Sequence, residues 1–79
     1  YGYVDFTYYP NPSNGLVNIA SKTNIKNIDA YTITGQLLYT NTPNNLTTTV
    51  NISTFATGTY FFKIQFENNQ TATIKIQKN

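Results

Sequence analysis

Proton transfer and nucleophilic attack near neutral pH rest mostly on histidine, cysteine and closely paired carboxylates, and this chain has no histidine and no cysteine. Asp5, Asp29 and Glu67 are its only acids, and they fall on three separate segments without the dense spacing of a calcium loop. They read as solvated surface groups. Ser13, Ser21 and Ser53 lack a histidine base, and neither spacing nor context pairs them with a lysine. Catalysis is therefore not expected, and no metal or other cofactor is called for. Asn45-Leu-Thr47, Asn51-Ile-Ser53 and Asn69-Gln-Thr71 match the glycosylation sequon, but so short a pattern arises by chance in a chain rich in Asn and Thr and carries no weight.

Binding chemistry is the alternative. Lys22, Lys26, Lys63, Lys75 and Lys78 give a net charge of only +2 and there is no arginine, whereas nucleic-acid readers gather basic residues into a patch. A nucleic-acid partner is not expected. Seven tyrosines and five phenylalanines could stack on sugar rings, which leaves open a carbohydrate-binding or adhesive module. In a small cysteine-free domain the same rings are needed inside, with Phe55, Phe62 and Phe66 as core and tyrosines half buried. Phe61 falls on the polar face of its strand and either covers a sheet edge or joins a contact patch.

These side chains must be held by a small scaffold. A chain of 79 residues makes one domain, residues 1–79, whose core leaves only ~3–5 kcal/mol of net stability. Without cysteine no disulfide supplements it. The chain contains no methionine, which points to a module cut from a longer product. Neither a signal-peptide pattern nor an apolar run of membrane-spanning length occurs.

Period-two alternation of β-branched and aromatic residues between Asn, Gly and Pro clusters predicts about seven strands. Tyr3 to Tyr9 is the first, ending at Pro10, although residues 1–8 read equally as the tail of a linker. Leu16 to Ser21 is the second, with Val17 and Ile19 on one face, and Ile25 to Ile33 the third, with Ile28 and Ala30 inward. Gly35 turns the chain into Gln36 to Thr40, and Leu46 to Ile52 follows with Leu46, Thr48, Val50 and Ile52 on one side. Thr59 to Phe66 and Thr71 to Gln77 form a closing hairpin. The one-sided apolar pattern suits antiparallel sheets, so the expected class is all-β, two sheets packed face to face.

The order of the short motifs says more than any one of them. "YPNPSNGLVNI" comes first, then "IDAYTITGQLLY", "LTTTVNISTFATGTYFFKI" and "TATIKIQKN". This constellation resembles the C-terminal sorting domain, type A, of proteins exported by the type IX secretion system of Bacteroidetes, from Pro10 to Lys78. The family's Pro-x-Pro-x-x-Gly motif falls on Pro10, Asn11, Pro12 and Gly15, Gly35 lies in the middle segment, and Gly-x-Tyr falls on Gly58 and Tyr60. Lys75 and Lys78 stand in the terminal strand, followed by Asn79 where a basic or apolar ending is the more familiar one.

The resemblance implies an immunoglobulin-like β-sandwich and a non-catalytic signal, read in folded form after its cargo reaches the periplasm. Its implied partners are the type IX translocon and outer-membrane shuttle components, an N-terminal cargo domain in the same chain, and a sortase-like surface peptidase that removes the domain, often attaching the cargo to lipopolysaccharide. The cargo then ends at the cell surface or outside the cell. Physically the motif residues also read as structure: Pro10 and Pro12 stiffen a corner and Asn14-Gly15 turns the chain. Lys75 and Lys78 are expected to point away from the apolar face, either as a solvated edge that blocks sheet addition or as the contact to an acidic translocon surface.

Overall fold

Why β2 is one strand and reads as two is the key to the architecture. The computed structural model describes residues 6–9 and 14–79. Six strands occur among them: β1 (Phe6–Tyr9), β2 (Leu16–Thr32), β3 (Leu37–Asn41), β4 (Asn45–Asn51), β5 (Gly58–Phe66) and β6 (Thr71–Lys78). All pair antiparallel in one sheet, and the described chain is all-β. Of the expected first strand, Phe6 to Tyr9 is formed; its start, and Pro10, Asn11 and Pro12, lie outside the described residues.

The expected second and third strands are joined as the 17-residue β2. Val17, Ile19 and Ile25 are buried in its first part, Ile28 and Ala30 in its second, so the inward parity changes from odd to even. A one-residue bulge causes the change. Ile25 faces Phe66 and Asn27 faces Gln65, leaving Lys26 without an opposite number, and one extra residue swaps which face each later side chain points to.

β2 also changes neighbours. Asn18, Ile19 and Ala20 lie between β1 and β4, while Ile28 to Tyr31 lie between β3 and β5. A straight strand of this length would run ~56 Å at ~3.3 Å per residue, yet the molecule's longest extent is 36 Å. β2 is therefore bent, and the single sheet curls so that its two parts face each other. The expected pair of sheets is thus one sheet folded at β2, the manner in which strands switch layers at bulges. Across the bend the Phe6 and Phe66 rings meet at 5.6 Å.

Both parts contribute to one core: Val17, Ile19, Val50 and Ile52 from one, Phe62, Ile64, Phe66, Ile74 and Ile76 from the other. Burying each such side chain contributes roughly 1.5–3 kcal/mol, which is how so short a chain offsets its conformational entropy. Among the described residues no buried side-chain nitrogen or oxygen lacks a hydrogen-bond partner.

The two hairpins share one turn design. Thr32 N–H donates to Gln36 O and Gly35 N–H to Thr32 O, both at 2.9 Å; Phe66 N–H donates to Gln70 O at 2.8 Å and Asn69 N–H to Phe66 O at 3.0 Å. Each three-residue loop ends in a residue at positive φ, Gly35 at 94° and Asn69 at 68°. Glycine and asparagine are the residues that tolerate this region.

Candidate functional site

Curling brings together positions that the sequence keeps far apart. Gly15, just before β2, accepts a hydrogen bond from Ile52 N–H at 2.6 Å, and a Cβ on it would stand 3.3 Å from Ser53 Cβ. Backbone at this point fits because the residue is glycine. The turn after Ile52 is held by Phe55 N–H donating to Ile52 O at 2.9 Å, and the Phe55 ring packs on Tyr60 at 5.0 Å. Tyr60 is 8% exposed; its hydroxyl donates to Ala56 O at 2.6 Å. A tyrosine tied to backbone a few residues upstream at a strand's start is a corner device of β-sandwiches.

The ring of contacts closes at the chain's other end. Gly58, at φ 153°, faces Lys78 across the β5–β6 ladder. Asn79 Nδ2 donates to Asn14 Oδ1 at 3.1 Å, which returns the path to the Asn14-Gly15 turn. Thr32 faces Tyr60, so the Gly35 hairpin belongs to the same end of the molecule. Gly15, Gly35, Gly58, Tyr60 and Lys78 are thus gathered at one end of the curled sheet.

Lysine placement differs from the expectation for one of the pair. Lys75 is exposed on the outer face, opposite Phe61. Lys78 does not point away from the apolar face: it is 8% exposed. It shares the parity of Ile74 and Ile76 along β6, so its stem lies along the core, and its ammonium reaches Asn79 O at 3.1 Å. Long lysine stems bury in this way while the charged head stays solvated or bonded.

Nothing in the geometry assembles a catalytic or sugar-binding constellation among the described residues. Asp29 accepts from Thr40 Oγ1 at 2.6 Å and from Asn27 Nδ2 at 3.2 Å, while Glu67 is exposed in the β5–β6 turn. No cluster of potential metal ligands forms among the described residues. Ser21 Oγ accepts from Thr23 N–H at 3.0 Å, a local backbone contact. Phe61 is half buried between Tyr31 and Lys75, on the outer face of the β5 part of the sheet, whereas the exposed Tyr9 belongs to the β1 part. The two rings do not build one platform. A hollow of about 240 Å³ lined by Phe6, Thr7, Ala20, Ser21 and Lys22 lies at the bend, below the ~300–1,000 Å³ usual for ligand sites.

A family model described as the secretion system C-terminal sorting domain matches residues 7–79. The chain belongs to that family. No curated protein matches the chain. As a type IX secretion sorting domain, it is a signal for export to the cell surface or extracellular space, acting with the secretion machinery on a cargo. The motif residues now have places: Gly15 and Tyr60 hold the turns at the gathered end, and Gly58 is the partner of Lys78 in the terminal ladder. Sequence reading missed the Asn14–Asn79 contact, for which no local pattern exists. It missed the inward Lys78 although parity with Ile76 was there to be counted.

Proposed function

We propose that the whole of residues 1–79 works as one non-catalytic secretion signal, read in folded form by the type IX translocon and its outer-membrane shuttle after the cargo has entered the periplasm. A sortase-like surface peptidase then removes it, with attachment of the cargo at the surface. The observation that carries the reading is the convergence of the family's scattered motif on one end of the fold, closed by Asn79 on Asn14. Such an end exists only when the chain is folded. Gly15, Gly35, Gly58 and Tyr60 shape it, and Lys75, exposed on the outer face, is the better placed of the two lysines to meet an acidic partner.

Fusing residues 1–79 to a periplasmic reporter in a type IX-competent bacterium tests the proposal. Export of the reporter is expected; a folded fusion that stays in the periplasm would sink it. Deleting residues 75–79 is a poor probe, because it removes the fully buried Ile76 together with the signal. Lys75→Ala is cleaner: export should fall while the thermal midpoint holds, and full export would remove Lys75 from the recognition surface.

A further inference from the structure

An outer strand of a sheet offers a row of backbone donors and acceptors to any other strand, and proteins normally guard it with charge, proline, bulges or brevity. Three outer strands here carry such guards. β1 runs in sequence into Pro10; β3 is bulged, since Ala30 faces Tyr39 but Tyr31 faces Leu37; β6 carries the exposed Lys75. β4 has none. Among the described residues it pairs only with β2, and its seven residues, Asn45-Leu-Thr-Thr-Thr-Val-Asn51, include no charge and no proline.

The sequence of β4 is complementary to itself. Antiparallel pairing about Thr48 sets Asn45 against Asn51, Leu46 against Val50, Thr47 against Thr49 and Thr48 against its own copy. Threonine pairs and aliphatic pairs are favourable cross-strand neighbours, and no like charges meet. Burial points the same way: Leu46 shares the core-facing parity of the fully buried Val50 yet is 46% exposed, so it is the side chain on that face that gains cover from an added strand. An interface in which residue i meets j and j meets i is the self-complementary kind that closes a two-fold dimer. We propose that β4 is the pairing edge for a second copy of this chain, joining two curled sheets through Asn45–Asn51.

Sedimentation of the 79-residue chain across micromolar to millimolar concentration tests this, with charge variants at the outward threonines. Thr47→Lys with Thr49→Lys places lysine opposite lysine twice and should weaken the dimer by about tenfold or more. Thr47→Glu with Thr49→Glu should do the same, and mixing the two variants should restore a mixed dimer, which also shows that both still fold. An independent readout uses the absence of native cysteine. Facing residues on neighbouring strands have Cα atoms ~4.5–5.5 Å apart, within disulfide range, so Thr48→Cys should oxidise to a linked dimer while Thr73→Cys on β6 stays monomeric. A chain that remains monomeric at every concentration overturns the proposal, whatever other strand the edge then accepts. So do a dimer indifferent to the charge variants and equal cross-linking at Thr48 and Thr73.

Discussion

Removing the hydroxyl of Tyr60 separates a structural from a recognition role for the Gly-x-Tyr motif. The hydroxyl donates to Ala56 O at 2.6 Å and the ring is 8% exposed against Phe55, so the polar end is engaged inside the molecule. Tyr60→Phe keeps the ring and loses one hydrogen bond, a net cost of about 1 kcal/mol. Ala56 is exposed, so water can solvate the released carbonyl and the cost should not exceed that figure. In a domain of this size 1 kcal/mol lowers the thermal midpoint by roughly 4–8 °C. Calorimetry should find that shift, and reporter export below the new midpoint should equal that of the parent. An unchanged midpoint together with lost export would refute the reasoning, because the hydroxyl would then be needed by a partner and not by the turn. Tyr60→Ala calibrates the pair: losing a buried ring costs about 3–5 kcal/mol, comparable with the whole net stability of so small a core, and it should unfold the domain and abolish export together.

Asn69→Gly should leave stability unchanged or raised by a few tenths of a kcal/mol, since φ at this position is 68°, whereas Asn69→Val should cost about 1–2 kcal/mol in urea denaturation. Gly15→Ala, at ordinary φ, should gain less than the ~0.4–1 kcal/mol usual for such a change, because Ser53 Cβ stands 3.3 Å from the new methyl, and Ser53→Gly in the same chain should recover the difference; a double-mutant cycle measures the coupling. Phe62→Ala, emptying a fully buried position on β5, should cost at least about 3 kcal/mol and leave no cooperative thermal transition.

Strand identity was legible wherever one face is wet. β5 and β6 alternate cleanly, and the sequence-read spans Thr59 to Phe66 and Thr71 to Gln77 differ from the strands by one residue at an end. β2 was not legible as one strand. A bulge at Lys26 breaks the period that pattern reading relies on, and Asn24, Lys26 and Asn27 around it resemble a loop in composition. Only partners on both sides show that the backbone continues. Sheet topology was out of reach for the same reason: which strands flank β2 depends on its bend, and the two parts meet through core residues far apart in the chain, Phe6 against Phe66 among them. For the site, the motif residues were found by their family order, while their spatial meeting was not, since no spacing rule links Asn14 to Asn79.

That meeting gives the motif's separate pieces one spatial setting. Gly15 admits Ser53 and Ile52 to the end of the fold; Tyr60 ties down the turn that follows them; Gly58 places β5 so that Lys78 lies opposite it; and Asn79 bridges back to Asn14. The Tyr60 contact is local and the Gly15 contact extends the β2–β4 ladder, but Asn79 reaches Asn14 only when β2 has bent and β6 has added to β5. Sorting that tests this end therefore tests completion of the fold at the same time. A cargo carrying a half-folded domain would present the same sequence and yet lack the surface.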